Sequence, residues 1–235
     1  MRFFLAAFAF LLLSAEIPLA ERRSGYEFMG RETRAMQDDD TTNPALLWVL
    51  DGEALFKTNC SGCHVDLKGV AARFPKVKEG RAVSLDQQIN ACLKGKPFPY
   101  ESRELLALTA YVAKQSRGMP IQSEWNEATK PFLERGRAIF NRRQGQLNLA
   151  CAQCHDDNWG KQLSGSVIPQ AHPTGYPIYR LEWQGMGSLQ RRFRNCLIGV
   201  RAEPYAYGAP EYVELEMFLM WRARGMKLET PAVRP

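Results

Sequence analysis

Apolar side chains recur at helical spacing in two stretches of the chain, at 104–119 and 211–226. The apolar positions of these stretches are Leu105, Leu108, Tyr111 and Val112, and then Tyr212, Leu215, Phe218 and Leu219. Residues three and four apart lie on one face of a helix, so each stretch is predicted to be an amphipathic helix that buries this face. Both stretches end in Arg-Gly-Met, which indicates an internal repeat.

A second pair of matching segments precedes these helices. Gly-Glu-Ala-Leu-Phe at 52–56 matches Gly-Arg-Ala-Ile-Phe at 136–140. We predict a helix at each of them, with Leu55 and Phe56 facing a core. Gly52 has no side chain, so it would allow another helix to approach closely.

A third pair of matching segments lies between the other two, at 84–95 and 188–199. Each begins with serine, a good N-cap, and ends with glycine, a common C-terminal stop, so each is predicted to be a short helix. The copies also differ, because the second has seven more residues between its first helix and the cysteine motif that follows.

Each copy contains one Cys-x-x-Cys-His motif, Cys60-Ser61-Gly62-Cys63-His64 and Cys151-Ala152-Gln153-Cys154-His155. This is the attachment signature of c-type haem. Two thiols three positions apart can form thioethers with the two vinyl groups of one porphyrin, and the adjacent histidine can bind the iron from below. A single motif would also suit a redox dithiol or half of a zinc site, but two that both end in histidine predict two covalently bound haem c groups.

The order of elements is therefore the same in both halves: helix, haem motif, loop, short helix, final helix. It resembles the class I cytochrome c fold. We predict a mainly α protein with two tandem class I cytochrome c-like domains at 45–119 and 120–235, joined near 116–130 and preceded by an arm at 21–44. The loop from the motif histidine to the short helix is 33 residues long in the second copy against 20 in the first. It is rich in proline and glycine, which predicts irregular structure over the second haem.

The N-terminus carries the pattern of a signal peptide. Arg2 is followed by 13 apolar residues from Phe3 to Ala15, and Ala15 or Ala20 could precede the cleavage site. The run is too short to span a bilayer, and no later segment could cross one. Residues 1–20 are therefore expected to be removed on export to the periplasm, where haem attachment also takes place.

Composition and charge narrow the class of protein. The chain has 235 residues, of which 45% are hydrophobic and 24% charged, as in soluble globular proteins. The formal net charge is +6, but the sequence contains no long basic run with interleaved aromatic residues. Nucleic-acid binding therefore has no support.

The distal ligand of each haem iron can be sought by elimination. The chain has three histidines, and two of them belong to the motifs. Between His64 and the final helix of the first half there is no other Met or His, and Cys92 is the one soft side chain. Cys196 occupies the equivalent place in the second half, where Met186 and His172 compete for the same position. Thiolate ligands stabilise ferric iron, so they suggest chemistry at the sulfur rather than simple electron relay.

Several alternatives remain open at this point. An oxidising compartment would permit a disulfide between Cys92 and Cys196. Met119 and Met226 lie past the final helices and are expected to be packing residues. His172 is expected to be a surface or loop residue rather than a ligand.

The two short helices differ in charge close to their cysteines. Arg191, Arg192 and Arg194 replace Gln87, Gln88 and Asn90 of the first copy. Arg192 precedes Cys196 by four residues, so both lie on one helix face. A guanidinium there would favour deprotonated sulfur and offer a forked donor to an oxyanion such as a sulfonate. Arg191 and Arg194 suit a solvated basic face or a clamp on haem propionates equally well.

The chain resembles the A subunits of SoxAX cytochromes, the L-cysteine S-thiosulfotransferases of bacterial thiosulfate oxidation, over nearly all of its mature length. The resemblance rests on Ser-Gly-Tyr-Glu-Phe-Met at 24–29, on Glu-Thr-Arg-Ala-Met-Gln-Asp-Asp-Asp at 32–40, on Asn-Pro at 43–44, on both haem motifs and on Phe-Arg-Asn-Cys at 193–196. Read without the family, the N-terminal stretch is a polar, partly ordered arm.

This resemblance implies His64/Cys92 ligation at the first haem and His155/Cys196 ligation at the second. It implies that Cys196 carries an extra sulfur as a persulfide and that Arg192 contacts the substrate. The implied reaction joins thiosulfate to a cysteine of the carrier SoxYZ with loss of two electrons, and a monohaem subunit, SoxX, binds the chain and receives them.

Other functions are less consistent with the residues. A dihaem thiosulfate dehydrogenase, which forms tetrathionate, usually has a cysteine ligand at one haem only. A non-catalytic electron carrier would be expected to use Met or His ligands. A dihaem peroxidase would need an open iron site.

Overall fold

The computed structural model describes residues 17–60, 66–93 and 95–235. Cys63, His64 and most of the predicted signal peptide lie outside the described residues. The α-helices are α1 (Arg31–Asp38), α2 (Ala45–Asn59), α3 (Leu85–Cys92), α4 (Arg103–Lys114), α5 (Lys130–Asn141), α6 (Cys151–His155), α7 (Leu189–Gly199) and α8 (Pro210–Arg222). In the described part of the chain, no helix has the length and apolar content that a membrane span needs.

Short strands connect the helices. They are β1 (Lys76–Lys78), β2 (Arg81–Val83), β3 (Gln162–Leu163), β4 (Ser166–Val167), β5 (Ile178–Arg180), β6 (Gly185–Gly187) and β7 (Ala232–Arg234). β1 pairs with β2 and β3 with β4, in both cases antiparallel. In the third sheet, β5 lies between antiparallel β6 and parallel β7. The prediction of a mainly α protein with two tandem cytochrome c-like modules is confirmed.

The first and last helices of each module cross at a glycine. α2 packs against α4, and α5 packs against α8. A Cβ added to Gly52 would lie 2.0 Å from the Ala107 carbonyl oxygen, and one added to Gly136 would lie 2.1 Å from the Glu214 carbonyl oxygen. The predicted close approach at Gly52 is therefore confirmed, and the same contact recurs in the second module.

The short helices begin as predicted but end differently. The Gln87 side chain accepts a hydrogen bond from the Ser84 amide at 3.1 Å, and the Ser188 hydroxyl accepts one from the Arg191 amide at 3.1 Å. The predicted glycine stops are wrong. α3 ends at Cys92, before Gly95, and Gly199 is the last residue inside α7. Neither glycine has the positive φ of a helix-ending glycine.

The long loop of the second module is more regular than predicted. Its residues form the β3–β4 hairpin and supply β5 and β6. The sheet is completed by β7, which comes from the far end of the chain. A strand whose partner is more than 50 residues away leaves little trace in local sequence, so the irregular structure expected from proline and glycine was wrong.

The two modules share a core. One buried cluster combines side chains of the first module with side chains of α8 and the segment after it, and its members are Ala71, Ala72, Ala113, Ile121, Met220, Ala223 and Leu228. The junction is also hydrogen-bonded to the end of the chain, since the Gly118 amide donates to the Leu228 carbonyl at 2.8 Å. The modules are therefore packed together as one unit.

The N-terminal arm lies against the second module rather than extending into solvent. The Gln37 side-chain oxygen accepts a hydrogen bond from the Val233 amide at 3.0 Å, and the Asn43 side-chain amide donates to the Pro231 carbonyl at 2.9 Å. Both Gln37 and Asn43 are buried. The partly ordered arm of the sequence prediction is thus anchored on β7 and the residues before it.

A polar cavity of about 70 Å³ lies between the modules. Its lining includes the carboxyl groups of Asp86, Glu101 and Glu216. Burial raises the pKa of each carboxyl, and in Glu216 it raises the pKa well above its usual range, with a further contribution from Asp86. The folded protein therefore favours the protonated form of Glu216.

We expect Glu216→Gln to stabilise the holoprotein at neutral and alkaline pH. A carboxyl whose folded-state pKa is raised stabilises the fold fully below its unfolded pKa of about 4.3, and this contribution is lost as the pH rises through the folded pKa. The gain in the variant should be about 1–2 kcal/mol at pH 8, or about 2–4 °C in Tm per kcal/mol, and it should vanish near pH 4. Thermal unfolding followed by circular dichroism across this range measures it.

Glu134→Gln is the matched control, because Glu134 is exposed on α5. It should change Tm little at any pH. A Tm difference between Glu216→Gln and the unsubstituted protein that stays constant from pH 4 to pH 8 would contradict the prediction.

Candidate active site around the second haem motif

The second haem motif forms one turn of helix, α6, which places its two thiols on the same side. The Gln153 side chain accepts a hydrogen bond from the Ala150 amide at 2.9 Å and closes the start of this turn. The Nδ1 atom of His155 lies 2.6 Å from the Pro169 carbonyl oxygen. A carbonyl can only accept, so Nδ1 carries the proton, and Nε2 keeps the lone pair that binds iron.

Burial lowers the pKa of His155, and the charges of Arg192 and Arg222 lower it further. The imidazole is therefore neutral, as a metal ligand must be. The next residue, Asp156, forms an ion pair with Arg222 at 2.6 Å, and the Arg222 guanidinium lies 4.6 Å from the centre of the Phe140 ring. The haem motif is thereby held where the first and last helices of the module meet.

Cys196 faces this turn from α7. Its neighbours Phe193 and Leu197 belong to the buried cluster against which Cys151 packs. In the haem-free chain, burial raises the pKa of Cys151 to about 12, and the charge of Cys196 raises it too. The pKa of Cys154 is raised by the same two causes in the same order. The three sulfurs therefore share one pocket.

This donor set fits haem c. Two thiols stand one turn apart for the vinyl groups, a neutral imidazole has its Nε2 free for iron, and a third sulfur comes from another helix. A zinc site would use both motif thiols as ligands and would leave the histidine's anchoring to Pro169 unexplained.

Arg192 is half-buried and lies one turn before Cys196 on α7. Burial lowers the pKa of its guanidinium, but the charges of Cys196, Tyr176 and Glu182 more than offset this, so the pKa is raised. Within residues 17–60, 66–93 and 95–235, the guanidinium has no hydrogen-bond or ion-pair partner. A half-buried cation beside a sulfur, with its donors unused, is suited to bind an anion.

The two neighbouring arginines serve other contacts. The Arg191 guanidinium lies 4.3 Å from the Trp183 ring centre and 3.9 Å from the Glu101 carboxylate. Arg194 donates to the Tyr205 carbonyl and lies 4.8 Å from the Tyr207 ring centre. Both are thus committed to positioning loops, and Arg192 is the arginine of this helix that acts on Cys196.

The first module holds a partial copy of the site. Cys60 is buried in a cluster with Ile89 of α3, and Cys92 is the last residue of that helix. The Gln88 side-chain amide donates to the Cys92 sulfur at 3.1 Å. Gln88 is the counterpart of Arg192, so the contact that is a guanidinium in the second module is a neutral amide here.

The rival ligands in the second half lie elsewhere. Met186 is only 1% exposed and fills a cluster with Val49 and Leu106 of the first module. His172 is 7% exposed, and its Nδ1 lies 2.9 Å from the Arg23 carbonyl. Burial lowers the pKa of His172 to about 4. The expectation of a surface residue was therefore wrong, because the N-terminal arm covers this loop.

Two further expectations can be compared with the structure. Cys92 and Cys196 both have free thiols, so the structure does not contain the alternative disulfide between them. Met226 packs against the cluster shared by the modules, as expected for a packing residue. Met119 lies against the loop at Gly69.

Sequence reasoning missed Arg180 and Tyr176. The charge of each acts on Arg192 or is acted on by it, and both are also within electrostatic range of Cys196. They lie in the long loop of the second module, which has no counterpart in the first. Alignment of the repeat therefore could not point to them, although the extra length of this loop was itself a signal.

Comparison with known proteins agrees with this geometry. A family model described as the SoxA/TsdA cytochrome c domain matches the chain twice, at 51–121 and 135–228. The chain belongs to the SoxA/TsdA cytochrome c family. The two matches correspond to the two modules of the fold, so both copies of the SoxA/TsdA domain are present.

Three SoxA relatives show how far the likeness extends. Each is named L-cysteine S-thiosulfotransferase subunit SoxA. The protein from Pseudaminobacter salicylatoxidans is 34% identical, with 92% of this chain and 82% of the relative covered. That from Rhodovulum sulfidophilum is 33% identical, with 91% and 80% covered. That from Paracoccus pantotrophus is 31% identical, with 90% and 78% covered.

A solved SoxA/TsdA family structure matches the fold directly. A chain in the crystal structure of SoxXA from P. pantotrophus superposes with a TM-score of 0.87 at 29% identity. The match covers 91% of this chain and 87% of that chain. It therefore includes both modules and most of the N-terminal arm.

Proposed function

We propose that this chain is the A subunit of an L-cysteine S-thiosulfotransferase, which couples thiosulfate to a cysteine of the sulfur carrier SoxYZ in bacterial sulfur oxidation. The observation that carries the proposal is the asymmetry between the two modules. Both present a cysteine opposite the haem motif, but Cys196 has beside it a guanidinium with unused donors, whereas Cys92 has an amide.

Two haem c groups are proposed as cofactors. Cys60 and Cys63 would attach the first, with His64 and Cys92 as axial ligands. Cys151 and Cys154 would attach the second, with His155 and Cys196 as axial ligands. When bound, the haems accept electrons one at a time and pass them to another c-type cytochrome.

The protein residues provide binding and sulfur transfer. Arg192 binds the sulfonate end of thiosulfate through charge-assisted hydrogen bonds. This orients the outer sulfur toward the Cys196 sulfur, which carries an additional sulfur atom as a persulfide. In the overall reaction, a sulfur–sulfur bond forms between the outer sulfur of thiosulfate and the carrier cysteine, while the carrier thiol loses its proton and two electrons leave.

The partners and compartment follow from the same proposal. The similar solved structure is a SoxXA complex, which supports a SoxX subunit as the electron-accepting partner of this chain. The apolar run behind Arg2 supports export, and haem attachment by thioethers supports the periplasm. Thiosulfate reaches the site as an anion, which the unpaired cation at Arg192 would attract.

Arg192→Gln tests this proposal, because it gives the second site the amide that the first site has at Gln88. We expect kcat/KM for thiosulfate coupling to fall about 100-fold, since a charge-assisted hydrogen bond contributes about 1.5–3 kcal/mol. The assay is thiosulfonate formation on the carrier, measured by mass spectrometry with the reconstituted two-subunit complex.

The matched control is Gln88→Ala, which removes the equivalent contact in the first module and should leave most of the activity. Equal losses in Arg192→Gln and Gln88→Ala would contradict the assignment. Tetrathionate formation by the complex in the absence of carrier would favour the thiosulfate dehydrogenase activity instead.

A further inference from the structure

We propose that Arg180 is a second substrate-binding arginine, and that Arg180 and Arg192 together bind the sulfonate group of thiosulfate. This inference rests on the proposed function, since it adds a residue to the same site. The two guanidiniums come from different elements, β5 and α7.

The placement of Arg180 is rigid. It ends β5, the central strand of the three-stranded sheet, and its side chain is 12% exposed. Its Nε and Nη2 atoms donate to the Pro235 main-chain oxygen at 2.9 and 2.6 Å. The Nη1 atom makes no hydrogen bond to any residue that the structure describes. One edge of the guanidinium is therefore anchored, and the donors of Nη1 remain available.

The position of Arg180 relative to α7 is set by Trp183. The Arg180 guanidinium lies 5.2 Å from the Trp183 ring centre, and the Arg191 guanidinium lies 4.3 Å from the same centre. A ring contacted by both side chains brings the end of β5 to the start of α7. Arg192 is the next residue on that helix.

The electrostatics agree with this placement. Burial lowers the pKa of Arg180, and the positive charge of Arg192 lowers it further, whereas Glu182, Tyr176 and Cys196 act in the opposite direction. The two arginines therefore repel each other within one site, and the Cys196 sulfur lies within range of both.

The nearby carboxylate does not offset both cations. Glu182 lies 3.2 Å from Arg180 and is 49% exposed, so solvent screens it in part. Two like charges held together in a partly buried place bind an anion, because its charge removes their repulsion. Thiosulfate is a dianion with three sulfonate oxygens, and guanidiniums that approach from two elements can donate to different oxygens.

The first module offers no counterpart to Arg180. The loop that carries β5 exists only in the second module, where it is 13 residues longer than its equivalent, as the 33- and 20-residue lengths show. Only the second module therefore has both cations beside its cysteine. This makes Arg180 part of what separates the substrate site from its copy.

Arg180→Gln tests the inference, with Arg191→Gln as the matched control because Arg191 contacts the same tryptophan and is neutralised by Glu101. The measurement is isothermal titration of thiosulfate into the oxidised, haem-loaded two-subunit complex without carrier. We expect Arg180→Gln to weaken thiosulfate binding about 10- to 100-fold and Arg191→Gln to leave it nearly unchanged. In the coupling assay, Arg180→Gln should raise KM far more than it lowers kcat.

Arg180→Lys keeps the charge but loses the forked geometry, so it should weaken binding by several-fold. It decides the question if Arg180→Gln fails to load haem. Unchanged thiosulfate affinity in a folded Arg180 variant, or equal weakening by Arg191→Gln, would overturn the inference. If the unsubstituted complex binds thiosulfate and Arg180→Gln does not, yet no coupling to carrier occurs, the anion site stands and the proposed function fails.

Discussion

Replacing Cys196 by serine is expected to abolish thiosulfate coupling, while the equivalent change at Cys92 leaves most of the activity. The expected loss for Cys196→Ser is at least about a thousandfold, as is usual when a reacting sulfur or oxygen is removed. The reason is that the Cys196 sulfur both holds the transferred sulfur and lies next to Arg192.

Cys92→Ser is a close control because the two cysteines occupy equivalent places in the repeat. Cys92 accepts a hydrogen bond from Gln88 and has no arginine one turn away. Its substitution should alter the first haem without touching the site of sulfur transfer. The carrier assay measures the activities, and electron paramagnetic resonance follows the low-spin thiolate signal that each variant is expected to lose.

Mass spectrometry of peptides from the native protein gives an independent measurement. A peptide with the mass of one extra sulfur atom is expected for Cys196 and not for Cys92. Full activity in Cys196→Ser, or an extra sulfur found on Cys92 alone, would contradict the proposed site.

The second large effect is expected for stability. Gly136→Ala should destabilise the protein by about 3 kcal/mol or more, because core overpacking alone usually costs about 1–3 kcal/mol. The added Cβ would lie 2.1 Å from the Glu214 carbonyl oxygen and 2.8 Å from the Phe218 Cβ. Neither is the end of a flexible side chain, so the two helices must separate. Thermal unfolding of the holoprotein should show a fall in Tm of about 2–4 °C per kcal/mol.

Two further glycines frame this result. Gly52→Ala should behave like Gly136→Ala, because its Cβ would lie 2.0 Å from the Ala107 carbonyl oxygen. Gly199→Ala is the control, since a Cβ at this helical position meets nothing within 4 Å. Alanine suits a helix better than glycine, so Gly199→Ala should be neutral or stabilising by up to about 1 kcal/mol. A Tm for Gly136→Ala at or above that of Gly199→Ala would show that the crossing is looser than the structure indicates.

Local signals in the sequence were reliable where the physics is local. The spacing of Leu105 and Leu108 predicted a buried face of α4, and both are buried. Ser84 and Ser188 begin their helices as predicted. The expectation for the C-terminal glycines was wrong because a helix can also end at an ordinary residue. After α7, Arg201 adopts the positive φ, at 58°.

Pairings between distant parts of the chain could not be predicted in this way. β7 completes a sheet with β5, and the N-terminal arm buries His172. Apolar periodicity reports which face of an element is buried but not which element covers it. Met186 illustrates this limit, because its burial against Val49 of the first module depends on how the two modules pack.

The sequence by itself determined the haem-binding chemistry, the repeat and the pairing of Cys196 with Arg192, because each depends on residues a few positions apart. Only the tertiary structure decided that Arg192 is left without a partner, that Arg191 and Arg194 are occupied elsewhere and that Arg180 joins the site. These features depend on strands and helices that meet after the chain has folded. The charge at the site is therefore a property of the packing, while the sulfur and haem ligands can be identified from sequence.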